Sequence, residues 1–432
     1  MNRIVSIIVN VCRIALAVTL ILSGFVKAID PLGTQYKIQD YLTALSLQGM
    51  VPDWVTLVAS VTLSALEFCL GILLLFAIHR RTVTKLIVAL MGVMTIISIW
   101  LWWANPVSDC GCFGDALVLS NGQTLLKNII LLAAAVFLCK YPLKMVRFIS
   151  KTNQWIVIYY TLLFIILCSA WCLYDLPIFD FRPYKVGADL KKGMEIPEGE
   201  KPPQFETTFI LEKDGERKEF TLEEYPDSTW TFIDSKTVQT SEGYVPPIHD
   251  FSIETLEGDN ITDSVLNDPG YSFLLISPML ENASDSDFGE IDQIYEYCQD
   301  KGYPFYCLTA SGEEGIERWR DLTGAEYDFY FTDATTLKTI IRSNPGLLLL
   351  HDGKVVRKWS HNRLPEASQL SGRLEQIPLG KTPEDDTARK IATILMWFVL
   401  PLAVLTLADR LWASIKWLWR KKKKTTKPNL QQ

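Results

Sequence analysis

The chain has 432 residues, 49% of them hydrophobic, with 13 Trp, four His and a formal net charge of −7. So apolar a composition is unusual for a soluble protein, and the scarcity of His argues against a metallohydrolase. Charge is unevenly placed: Asp180–Ala388 holds 20 Lys and Arg against 41 Asp and Glu, a net −21, while the remainder is net +14. The acidity reads as a solubility feature and does not point to nucleic acid.

Five apolar runs open the chain, near Ile4–Val26, Val55–Ile78, Val83–Ala104, Thr124–Tyr141 and Trp155–Tyr174, and a sixth follows at Ile391–Leu411. Each is roughly 18–25 residues long, enough to cross about 30 Å of hydrocarbon. A cleaved signal peptide is the competing reading of the first run, but Arg13 interrupts it and no small-residue cleavage site follows. Arg80, Arg81 and Lys85 join the second and third runs, and Lys140, Lys144, Arg147 and Lys151 join the fourth and fifth. With Lys416, Arg420 and Lys421–Lys424 in the tail, the positive-inside rule makes these loops and both termini cytoplasmic. The expected location is a bacterial inner membrane, with residues of about 175–388 in the periplasm.

The loop after the third run reads Asp109-Cys110-Gly111-Cys112-Phe113-Gly114-Asp115. Two thiols one glycine apart close a small, strained ring when oxidised, which favours exchange over an inert staple. Structural bridging and metal binding stay open beside redox chemistry, although no His lies nearby. Cys168 and Cys172 share a helix face near the outer end of the fifth run, as a relay to the loop or as small packing residues. Arg13 and Glu67 fall near mid-depth and are expected to pair, locking two helices, carrying protons or holding a quinone headgroup. Lys27, Asp30 and Asp109 lie at the outer rim, where Lys27 would favour a thiolate.

A Pro-, Gly- and Lys-rich connector, Arg182–Pro203, leads to a predicted hairpin of Thr207–Glu212 and Arg217–Leu222 and a strand at Thr229–Ser235. After Val245-Pro246-Pro247 strands and helices alternate. Strands are expected at Tyr271–Ser277, Phe305–Thr309, Phe329–Thr332, Leu347–Leu350 and Val355–Trp359, and helices at Phe288–Lys301, Glu313–Thr323, Thr335–Arg342 and Pro365–Glu375. This is the pattern of an α/β sandwich around a mixed sheet. Cys298 and Cys307 fall within it as packing residues.

Arg13-Ile14-Ala15-Leu16, Leu22-Ser23-Gly24-Phe25-Val26-Lys27, Asp30-Pro31, Glu67 and Gly71 together resemble the DoxX/MauE membrane family over roughly the first 145 residues. The Cys-Gly-Cys-Phe-Gly loop is similar to the MauE branch, tied to methylamine utilisation and to disulfide formation in an exported dehydrogenase subunit; the DoxX branch is tied by name to quinol oxidation. Residues of about 245–380 resemble thioredoxin-like domains, through His249-Asp250-Phe251-Ser252-Ile253, Phe273–Ser277 and Asn344-Pro345-Gly346. That resemblance makes Pro345 the cis-proline position that lies against active-site cysteines. Where such domains carry Cys-x-x-Cys, this chain has Pro278-Met279-Leu280-Glu281.

The expected architecture is a multi-pass α-helical membrane bundle, a DoxX-like four-helix core plus two further spans. It carries a linker and small β subdomain at 182–244 and an α/β thioredoxin-like domain without its Cys-x-x-Cys. The expected function is periplasmic thiol–disulfide exchange with exported cysteine-containing clients. A non-enzymatic membrane scaffold or assembly factor, and a quinone-linked respiratory subunit, are the competing readings.

Overall fold

The structure, a computed structural model, describes residues 2–107, 111–202, 204–213, 216–221, 231–241 and 243–425. Among them six helical segments are long and apolar enough to cross a membrane: Arg3–Ile29, Asp53–Leu75, Arg80–Ala104, Asn121–Lys140, Lys151–Tyr174 and Thr387–Trp419.

The core of the bundle is formed by α1 (Asn2–Ile29), α3 (Asp53–Leu75), α4 (Arg80–Ala104) and α5 (Asn121–Lys140), with α6 (Gln154–Tyr174) outside it. Leu16, Leu70, Ile87 and Leu138 interlock the four core helices. Between α1 and α3 runs a helix that no apolar stripe announces, α2 (Pro31–Ala44). Its start is written locally: Asp30 accepts the Gly33 N–H at 2.9 Å, and Pro31 takes the first helical position, where an N–H would go unused.

α1 and α3 approach each other closely. A β-carbon on Gly24 would lie 2.4 Å from the Phe68 backbone nitrogen and 2.8 Å from the Ser64 carbonyl oxygen. Gly24 is thus level with Ser64–Phe68, and α3 projects well past the end of α1. This register corrects the expected Arg13–Glu67 pair. Arg13 is eleven residues before Gly24, about 16 Å along the helix from Glu67 at 1.5 Å per residue. It donates instead to the Val146 carbonyl at 2.5 Å and lies over the Phe148 ring at 4.7 Å, at the end carrying the basic loops.

The connector contributes α7 (Leu190–Met194). A three-stranded antiparallel sheet follows, with β1 (Gln204–Lys213) between β2 (Glu216–Thr221) and β3 (Thr231–Ser241). The hairpin and third strand match the expected order; Leu222, Thr229 and Trp230 lie outside the described residues.

In the α/β part come α8 (Thr262–Leu266), β4 (Tyr271–Ser277), α9 (Phe288–Lys301), β5 (Phe305–Thr309), α10 (Glu313–Thr323), β6 (Phe329–Phe331), α11 (Ala334–Ile340), β7 (Gly346–His351) and β8 (Lys354–Ser360). The sheet order is β6-β5-β4-β7-β8, with β5 and β6 parallel to their neighbours and β7 and β8 antiparallel. Side chains alternate across it. Leu347 and Leu349 pack with Ile294 of α9 and Trp319 of α10, while Leu348 and Leu350 pack with Leu337 and Ile340 of α11. This sandwich fits a thioredoxin-like domain. Cys298 and Cys307 are fully buried in it, and burial pushes both thiols up.

The helix expected at Pro365–Glu375 is instead a short 3-10 turn, Ala367–Leu370. The Tyr297 hydroxyl donates to the Gly372 carbonyl at 2.6 Å and the Tyr303 hydroxyl accepts from Leu374 N–H at 2.9 Å, using backbone groups a helix would need.

The chain returns to the bundle through α12 (Thr387–Ile394), a π-helical turn at Leu395–Val399 and α13 (Leu400–Thr425). The turn places Phe398 between Phe68 and Phe164, at ring distances of 5.3 and 4.3 Å. Farther along, Asp409 accepts from the backbone and hydroxyl of Ser150 at 2.7 and 2.6 Å.

Replacing Gly24 by Val forces α1 and α3 apart. The expected cost is about 1–3 kcal/mol, the range for overpacking a tight core. Thermal unfolding in detergent should show a lowered Tm; an unchanged Tm would refute the close approach.

Candidate functional site

One end of the bundle faces the α/β domain, and the two are joined by a buried cation. Arg342, two residues before the turn that leads into β7, is 7% exposed. Its Nε lies 3.0 Å from both carboxylate oxygens of Asp30, and its Nη2 lies 3.2 Å from Asp115 Oδ2. The guanidinium also stands over the Tyr36 ring of α2 at 5.3 Å, with the Lys338 ammonium over the same ring at 5.0 Å. Burial alone would lower the Arg342 pKa, but Asp30 and Asp115 outweigh it and raise it above the ordinary value. Asp115 carries the cost: desolvation raises its carboxyl and Asp30 adds to that, against the pull of Arg342 and Lys37.

A second latch holds the connector. Asp180 accepts from Arg182 at 2.7 Å and from Lys358 of β8 at 2.9 Å. Burial alone would raise the Asp180 carboxyl; the two cations reverse this and hold it well below the usual range. Desolvation pushes Lys358 down to about 8.

Above these latches lies a cleft of about 680 Å³. One wall is α2 with Gly111, Gly114 and Asp115 of the Cys-Gly-Cys loop; the other includes Pro278, Met279 and Asn344. The loop is pinned at its base, where Asn121 Nδ2 donates to Asn105 Oδ1 at 2.8 Å and to the Val107 carbonyl at 2.9 Å. Phe113 lies under Lys127 at 4.5 Å. On the domain side the Asn344–Pro345 peptide is cis. Asn344 ties the two edges together, accepting from the Ser277 hydroxyl at 2.7 Å and donating to the Met279 carbonyl at 2.9 Å.

Among the candidate residues, Asp109 and Cys110 lie outside the described residues. Cys112 is half-buried on the loop, and its carbonyl accepts from Ser23 Oγ at 2.8 Å. Ser23 also meets Glu67 Oε2 at 2.7 Å, and Lys27 reaches the two Glu67 oxygens at 2.8 and 2.7 Å. Glu67 therefore pairs with Lys27, fewer residues from the rim than Arg13. Asp30 serves the latch as well as the start of α2. Cys168 is half-buried and Cys172 buried in α6, which packs on α1, α2 and α3. Among the described residues no group of three His, Cys, Asp or Glu is placed to hold a metal ion.

The groups suggested for a quinone head do not fit one here. Arg13 and Glu67 are not brought together: Arg13 meets the Val146 carbonyl and the Phe148 ring, Glu67 meets Lys27 and Ser23, and neither is among the residues lining the cleft. Sequence reasoning missed Arg342, Tyr36, Lys37 and Ser23. Of these only Ser23 lay in a motif already marked, and only Asp30-Pro31 hinted at the helix that carries Tyr36 and Lys37.

With this geometry in place the chain can be set beside known proteins. Residues 5–141 match the family described as "Methylamine utilisation protein MauE". The membrane part is MauE-like. Residues 205–242, the small β sheet, match a domain of unknown function, DUF8463. No curated protein matches the chain. Among solved structures, the chain is similar to the solution structure of a "putative protein disulfide isomerase from Bacteroides thetaiotaomicron". That similarity covers 32% of this chain and 89% of that one, at 16% identity and a TM-score of 0.23.

Substituting Arg342 by Met would leave the half-buried Asp30 facing the more exposed Asp115 with no cation between them. Removing one partner of a buried ion cluster costs about 3–5 kcal/mol, enough to release the domain from the bundle. Limited proteolysis should then cut within residues 175–189 far faster than in the parent; equal rates would show that Arg342 does not hold the parts together.

Proposed function

We propose that this protein exchanges disulfides with cysteine-containing clients at the Cys110–Cys112 pair, in a site shared between the membrane bundle and the thioredoxin-like domain. The observation that carries this is the shared cleft: Gly111, the residue between the two cysteines, lines it together with Pro278–Met279 and Asn344. In thioredoxin-like domains those two stretches are the thiol-bearing edge and the cis-proline edge. Here the domain keeps the edges without thiols, and Gly111, which separates the two loop cysteines in sequence, lines the same cleft.

The division of labour follows from the chemistry. A thiolate attacks one sulfur of a disulfide, the mixed disulfide is resolved by the second thiol, and two electrons with two protons pass from dithiol to disulfide. Cys110 and Cys112 supply both sulfurs on the protein side. The domain, anchored by Arg342, presents the client segment, and Ser23 holds the Cys112 backbone in place.

The membrane orientation is part of the proposal. The basic loops around Arg80 and Lys144 gather at the end opposite the cleft, where Arg80 donates to the Leu143 and Met145 carbonyls at 3.1 and 2.7 Å. The positive-inside rule puts that end in the cytoplasm and the cleft in the periplasm, where disulfides persist.

A variant with one loop cysteine changed to Ser should accumulate covalent complexes with client proteins, visible on non-reducing gels and dissolved by reductant. Changing both Cys110 and Cys112 to Ser should abolish the complexes and leave client thiols in the wrong state on alkylation gels. Client redox states unaffected by the double change would favour the non-enzymatic scaffold.

A further inference from the structure

The end of the bundle away from the cleft is almost bare of acid. The segments that build it, residues 1–29, 76–106, 121–174 and 391–432, contain one carboxylate, Asp409. Asp409 is committed to Ser150 and to Asn153 Nδ2, the latter at 2.7 Å. The arginines there bind backbone instead. Arg80 donates to the Leu143 and Met145 carbonyls, Arg13 to that of Val146, and Arg410 to those of Arg147 and Phe148. Even so, Nε of Arg13 and Nε of Arg147 are buried without a hydrogen-bond partner among the described residues. What such an end lacks is an anion from outside the chain.

A pocket of about 360 Å³ opens at this end, lined by His79, Arg147, Lys151, Gln154, Trp155 and Ile158. Arg147 and Lys151 supply positive charge, and His79 and the buried Gln154 amide can donate N–H groups. No carboxylate is in the lining. A choline or ethanolamine ammonium would therefore meet only like charge, whereas a phosphate would meet complementary groups. From the pocket Trp155, Tyr159, Leu162 and Ile166 recur at helical spacing along α6, all four exposed. Trp155 belongs to both the pocket and this apolar stripe, so a charged head and apolar tails are accommodated together.

We propose that this pocket holds the headgroup of one anionic phospholipid, with Arg147 and Lys151 binding its phosphate and its acyl chains lying along the α6 stripe. The inference is independent of disulfide exchange, and of which face of the membrane the pocket meets. Its consequence is structural. The 143–148 segment supplies the carbonyls that seat Arg13 of α1, Arg80 of α4 and Arg410 of α13. A bound phosphate neutralises the charge gathered on the segment where those three helices converge.

The test titrates delipidated, full-length protein in neutral detergent with phosphatidylglycerol or phosphatidylcholine, and counts bound lipid by native mass spectrometry. The parent should retain one phosphatidylglycerol in preference to phosphatidylcholine. Arg147→Gln with Lys151→Gln should weaken that binding roughly thirtyfold, each Lys or Arg being worth about fivefold at an anionic surface. Lys151→Gln alone, at an exposed side chain, should cost about fivefold with the fold intact. Lys422→Gln with Lys423→Gln removes the same charge from the tail and should leave the affinity unchanged. Parent-like affinity in the Arg147/Lys151 variant overturns the proposal, as does an equal loss in the tail variant or equal retention of phosphatidylcholine. Displacement of the lipid by inorganic phosphate would overturn the lipid assignment and make the site one for a free anion.

Discussion

The arrangement depends on a guanidinium removed from water. Arg342 belongs to the α/β domain, and its anionic partners Asp30 and Asp115 belong to the membrane part, 312 and 227 residues away in sequence. An isolated charge buried to this degree would be prohibitively costly, so the domain is stable in its docked position only while both carboxylates face it. One of them caps α2 and the other follows the Cys-Gly-Cys loop, so the same contact that seats the domain also positions the two elements that wall the cleft.

The bundle answers with its own buried pair. Lys27 and Glu67, both within helices and both shielded, form an ion pair whose net charge is zero, which is what a low-dielectric interior tolerates. Ser23 lies between that pair and the Cys112 carbonyl, close to both. The thiol loop is therefore held from below by the bundle and faced from the other side by the domain. Its conformation is set by two independent polar clusters, one reaching in from each part.

Much of this was legible locally. The apolar runs marked the spans, and the strand and helix limits from Tyr271 to Thr323 follow from alternation and from turn residues such as Gly302 and Gly324, both with positive φ. What escaped depends on register or on distant partners. Pro31–Ala44 is too polar to show a stripe, and only its cap announces it. Placing Arg13 with Glu67 assumed that two helices start level; the overhang of α3 shifted the partner to Lys27. The Cys-Gly-Cys motif was plain in the sequence, but Arg342, which seats the domain beside it, carries no local mark. Its role comes from which surfaces the folded chain brings together.

The central claim is that the loop thiols and a domain without Cys-x-x-Cys form one site. The most direct measurement compares how fast the oxidised protein, in lipid nanodiscs, takes electrons from a reduced unfolded polypeptide and from a small dithiol, with and without Arg342. The account predicts that Arg342→Met slows the polypeptide reaction while leaving the small dithiol nearly unaffected, because the thiols persist and only their presenting wall is lost. Equal rates with the polypeptide in both proteins would contradict it.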